Sequence, residues 1–80
     1  MIKIFINQSA IETAIARKNL SRKELANHMG VSRYYLGRII NGKIKPSCGM
    51  RQRLLEYFKE HTFDDLFTIE ELKNDQRTGK

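Results

Sequence analysis

An all-α fold, a compact bundle of about five helices, is what this sequence predicts, and three observations carry that expectation. Apolar residues recur at three- and four-residue spacing along most of the chain, which gathers them on one face of each helix. Ser or Thr stands three residues before an acid at Ser9/Glu12, Ser21/Glu24, Thr62/Asp65 and Thr68/Glu71, the spacing at which two side chains satisfy backbone N–H groups at a helix start. Gly30 and Gly42 fall where two helical patterns end, as a left-handed terminating residue requires.

Taken in order, residues 2–6 alternate isoleucine with Lys3 and Phe5, a strand pattern. Leu66 to Ile69 is its best partner in a small two-stranded sheet formed by the two ends of the domain; exchange with a second subunit and fraying are the alternatives. Ser9 and Glu12 open a first helix that buries Ile11, Ala14 and Ile15 and ends near Lys18, with Leu20 plugging the next junction. Ser21 and Glu24 open a second, burying Leu25, Ala26 and Met29 up to Gly30. After Val31, Ser32 caps a third that buries Leu36, Ile39 and Ile40 and ends at Gly42. Lys43 to Ser47 form a basic loop. Ser47 starts a fourth helix with Met50, Leu54, Leu55, Tyr57 and Phe58, weakened in its first turn by Gly49, and Thr62/Asp65 starts a short fifth element. One domain spans 1–73, and the polar residues 74–80 read as a disordered tail.

The stretch Ser21 to Asn41, SRKELANHMGVSRYYLGRIIN, thus holds two short helices hinged at Gly30, with small Ala26 where they cross. These residues resemble the Cro and lambda-repressor type of helix-turn-helix protein, the XRE family. The family pattern is met by Leu25, Ala26, Gly30, Val31, Leu36 and Ile39, and Asn41-Gly42-Lys43 followed by Pro46-Ser47 matches its exit from the recognition helix. The resemblance covers about residues 8 to 69 and implies a regulator that presents its third helix to the major groove of DNA.

On a 3.6-residue wheel, Leu36, Ile39 and Ile40 point inward, leaving Tyr34, Gly37, Arg38 and Asn41 outward with Arg33 flanking. Arg33, Tyr34 and Arg38 are therefore the expected base readers: a guanidinium can donate two parallel hydrogen bonds to guanine, and a tyrosine ring can pack on a thymine methyl. Ser32, Tyr35 and Gly37 flank this face. For Tyr35, a packing role weighs as much as a contact. Gly37 reads either as permitting close approach or as merely tolerated. The resemblance implies that Arg22, at the start of helix two, and Asn41, Lys43 and Lys45 after helix three contact the DNA backbone. In some relatives an arginine on helix one pairs with a glutamate on helix three; the matching positions here are Ile15 and Ile40, so an apolar contact replaces that ion pair.

The net charge is +6, unevenly placed: residues 1–60 hold twelve Lys and Arg against four Glu, and residues 61–80 hold three against five acids. A basic body attracts phosphate, although charge alone also describes an ordinary solvated surface. No run is long enough to cross a membrane, and polar Asn7 to Ser9 interrupt the apolar start too early for a signal peptide, so a soluble cytoplasmic protein is expected. Cys48, His28 and His61 lack metal-ligand spacing, and neither a cofactor motif nor a nucleophile–base arrangement is present, which argues against an enzyme; Asp64 and Asp65 read as helix-start charge. The expected function is a Cro-like repressor from a phage or mobile element that binds a palindromic operator in double-stranded DNA as a homodimer. Tyr57, Phe58, Phe63 and Phe67 offer apolar surface for dimerisation, although core packing accounts for each of them better. The alternative is an antitoxin or modulator that uses the same fold and its acidic, Phe-rich end to capture a second protein regulator.

Overall fold

The computed structural model describes residues 2–71; the expected tail over 74–80 lies outside them. The chain runs β1 (Ile2–Ile6), α1 (Gln8–Arg17), α2 (Arg22–Met29), α3 (Arg33–Ile40), α4 (Cys48–Tyr57), α5 (Phe63–Leu66) and β2 (Phe67–Glu71). The predicted all-α bundle and the small sheet joining its ends are both present. β1 and β2 are antiparallel, with Ile4 opposite Ile69 and Ile6 opposite Phe67. The Asn7 N–H donates to the Leu66 carbonyl at 2.7 Å, carrying the ladder to the threshold of α1.

That ladder explains one correction. The first helix is capped by Asn7, whose side-chain oxygen accepts from the Ala10 N–H at 3.2 Å, and Ser9 lies inside the helix. The chain turns from strand to helix where its pairing ends, so the capping residue nearest that point prevails. A second correction concerns Thr68 and Glu71: both stand in β2, where pairing with β1 overrides their capping spacing. Ser21, Ser32, Ser47 and Thr62 cap their helices as the sequence predicts, and the reciprocal box is complete at Ser21/Glu24 and Thr62/Asp65.

Three helices end in left-handed residues. Gly30 (φ 73°) and Gly42 (φ 80°) do so without the steric cost of a Cβ. The third is Asn19 (φ 56°), whose N–H reaches Ala16 while the Leu20 N–H reaches Ile15. Asparagine is the residue that most often substitutes for glycine there.

The core joins every element: Ile6, Ile11, Ala14, Ile15, Leu25, Ala26, Met29, Leu36, Ile39, Ile40, Met50, Leu54, Phe58, Leu66 and Phe67 form one buried cluster. No charged or polar side chain is buried with them among the described residues. Ile15 and Ile40 both belong to this cluster, so no charge stands at either position. Phe58 and Phe67 are buried and Tyr57 and Phe63 partly so, which makes this aromatic set core rather than free surface. Each fully buried aliphatic or aromatic side chain stabilises the fold by about 1.5–3 kcal/mol relative to exposure. Leu36 and Ile39 therefore fasten α3 by one face and leave the other free.

Candidate nucleic-acid interface

Helix α3 is held at three points. At its start, the Ser32 hydroxyl accepts from the Tyr35 N–H at 3.0 Å. At its end, the Gly42 N–H reaches the Ile39 carbonyl and the Lys43 N–H reaches the Arg38 carbonyl at 2.8 Å, closing the last turn and directing the chain into the basic loop. Along its inner face, Leu36, Ile39 and Ile40 are fully buried. The junction with α2 is equally fixed: the Val31 N–H reaches the Ala26 carbonyl at 3.0 Å, and Arg53 of α4 donates through Nη1 to the Met29 carbonyl at 2.9 Å.

The outer face matches the wheel. Arg33 is exposed at the first position of α3, and Tyr34 is 73% exposed. Arg38, one turn on, is half-buried because its guanidinium lies against Tyr34, with Nη1 3.3 Å from the phenolic oxygen and the guanidinium carbon 5.7 Å from the ring centroid. Gly37 lies between Arg33 and Tyr34 around the helix, with nothing within 4 Å of where a Cβ would stand. Arg33 and Gly37 join Ser21, Arg22 and Lys23 around an open hollow of about 480 Å³ where the start of α2 meets α3. The three cations on its rim, Arg22, Lys23 and Arg33, suit a phosphate.

Arg22 is engaged on that rim by a partner from another helix. Its Nη2 donates to Glu12 Oε2 at 2.6 Å, tying α2 to α1 across half-exposed side chains. Asn41, Lys43 and Lys45 are exposed beyond α3, as phosphate contacts must be. Their loop is pinned beneath by half-buried Ile44, by buried Pro46 and by Arg51 Nη1, which donates to the Pro46 carbonyl at 3.0 Å. Tyr35 is half-buried against the core and supports the motif from its flank. Sequence reasoning assigns Glu12 to a capping box with Ser9 and misses its bond to Arg22, as it misses that of Arg53 to Met29, because each acts on a residue distant in sequence and no local spacing signals such a pair. Between Glu24 and Glu56 the chain holds Arg33, Arg38, Lys43, Lys45, Arg51 and Arg53 and no acid, so the field over α3 and its loop is positive.

Two helices crossed at a glycine turn, the second fastened inside and basic outside, define a helix-turn-helix domain. The helix-turn-helix family model matches residues 11–64, about two thirds of the chain. The chain belongs to this family, that of DNA-binding regulators of the Cro and lambda-repressor type. Neither curated proteins nor solved structures gave a match. Among the described residues, no helix is long and apolar enough to cross a membrane.

Proposed function

We propose that the protein is a sequence-specific transcriptional regulator, a Cro-like repressor that reads a two-fold-related operator with α3 and acts by occluding promoter DNA. The observation that carries this reading is the outer face of α3. Tyr34 and Arg38 stand together on a helix whose inner face is in the core, with Arg33 flanking them on the rim of a hollow that it shares with Arg22 and Lys23. Arg33 and Tyr34 sit in the N-terminal turn, the part of a recognition helix that meets base edges. Arg22, Asn41, Lys43 and Lys45 flank them as backbone clamps, which set register without reading sequence. A single small domain makes few base contacts, so two copies on half-sites about one DNA turn apart supply the affinity.

Titration of duplex DNA over a range of salt tests the division of labour. Lys43→Ala and Lys45→Ala should weaken binding to all sequences alike and flatten the salt dependence by about one charge each. Arg33→Ala and Arg38→Ala should cost about 1–3 kcal/mol on the preferred sequence and relax the preference at particular bases. Equal losses on preferred and random DNA from all four variants would remove the assignment of base readers.

A further inference from the structure

The largest apolar side chains left in water, apart from Tyr34, are Ile2 at 60% exposure and Ile69 at 52%. Both lie on one face of the small sheet, in the same row as buried Ile6 and Phe67, so the core's apolar face continues outward along the strands. Because Asn7 bonds to Leu66, the alternation of an antiparallel ladder makes Phe5/Thr68 and Lys3/Glu70 the hydrogen-bonded pairs. The N–H and C=O groups of Ile2, Ile4 and Ile6 therefore point to the outer edge of β1, and among the described residues no strand pairs with that edge.

We propose that this edge pairs antiparallel with the same edge of a second copy, about a two-fold axis at Ile4, giving a sheet of four strands across the dimer. The sequence IKIFI is complementary to itself in that register. Ile4 meets Ile4 of the second copy and exchanges both hydrogen bonds with it. Ile2 meets Ile6 of the second copy, so the exposed residue is set beside the other subunit's core. Lys3 meets Phe5 of the second copy, which keeps the two lysines apart, and each lysine already faces Glu70 of its own chain across the ladder. The outer edge of β2 is a poorer alternative, because two-fold pairing about Ile69 puts four carboxylates, Glu70 and Glu71 of both copies, into a five-residue seam whose strands carry no cation, and sets Glu71 opposite apolar Phe67 of the second copy. β1 also packs against α3, so joining two copies at this edge couples the two recognition helices. The proposal deepens the operator reading by naming the surface that joins the subunits, and its test needs no DNA.

Two measurements on the full chain decide it. In sedimentation equilibrium the unaltered chain should dimerise, and Ile2→Lys should weaken the dimer by about tenfold or more while leaving the circular dichroism spectrum unchanged. In a Cys48→Ser background, Ile4→Cys should form a covalent dimer in oxidised glutathione, because hydrogen-bonded antiparallel partners place their Cα atoms about 5.5 Å apart, within disulfide reach. Lys3→Cys should not, because the two-residue offset sets its Cα atoms beyond about 7 Å. A monomer at every concentration, or a dimer indifferent to Ile2→Lys that cross-links equally through position 3, would overturn the edge. A dimer that behaves as proposed yet selects no operator would keep the edge and remove the operator reading; the reverse result would do the opposite.

Discussion

The guanidinium of Arg38 rests on the side chain of Tyr34, with Nη1 3.3 Å from the phenolic oxygen, so two of the proposed base readers form one unit on the outer face of α3. An arginine held over an aromatic ring loses less freedom when it meets a base than one that swings in water. Tyr34→Phe keeps the ring and removes the hydroxyl; Tyr34→Ala removes both. Operator affinity should fall modestly with the first and by about 1–2 kcal/mol with the second, and Tyr34→Ala and Arg38→Ala should be non-additive by about 0.5 kcal/mol or more in a double-mutant cycle. Strict additivity would show two independent contacts.

Glu12 places a carboxylate beside the cationic rim of the hollow between α2 and α3. Exposed ion pairs contribute about 0–1 kcal/mol to stability, so Glu12→Gln should move the melting temperature little. It releases Arg22 and removes a charge that repels phosphate. DNA affinity at low salt should rise several-fold, with a steeper salt dependence, measured by fluorescence anisotropy. A lower affinity would mean that Glu12 aims Arg22 rather than occupying it.

Two glycines in the motif should respond oppositely to alanine. At Gly30, φ is 73°, and a Cβ there costs about 1–2 kcal/mol of stability even though the space around it is open. Gly37 lies within helical backbone with open space around it, so Gly37→Ala should stabilise the fold by about 0.5–1 kcal/mol. If Gly37 serves to let α3 approach DNA closely, the same methyl group should weaken operator binding; unchanged binding would mean that the glycine is merely tolerated there. Thermal unfolding and DNA titration of both variants separate these effects.

The start of α5 carries a pH dependence. The Asp65 carboxylate accepts from the Thr62 N–H at 2.9 Å, and this bond holds its pKa below the ordinary carboxylate value; desolvation opposes it, and the Thr62 hydroxyl and His61 add smaller lowering effects. A pKa lowered by folding stabilises the fold above the unfolded carboxylate's pKa of about 4, and that stability is lost as pH falls through the folded value. Asp65→Asn should therefore lower the melting temperature at neutral pH and lose less further stability on acidification than the unaltered chain. Parallel curves down to acid pH would contradict the capping role.

Features of this protein that depend on local spacing are legible in the amino-acid sequence alone. Ser21 and Glu24 exchange the two bonds that their spacing predicts, at 3.1 and 2.8 Å, and the inward triplet Leu36, Ile39 and Ile40 follows from helical period alone. Local rules fail where a distant partner competes. Pairing with β1 draws Thr68 and Glu71 into a strand and fixes Asn7, not Ser9, as the cap of α1. The ion pair of Arg22 with Glu12 and the bond of Arg53 to Met29 join residues whose separation carries no pattern. The exposed isoleucines are hidden for a related reason: alternation marks Ile2 as a strand residue and Ile69 as part of its partner, and only the assembled sheet shows that both stay in water.

The most direct test of sequence reading by α3 is selection of bound fragments from a randomised duplex pool at physiological salt, run beside Arg33→Ala and Arg38→Ala. Enrichment of a two-fold-related motif, with each variant relaxing the preference at its own bases, is the predicted result. Salt-sensitive binding that enriches no motif would contradict the claim and leave α3 as a basic surface without a base-reading role.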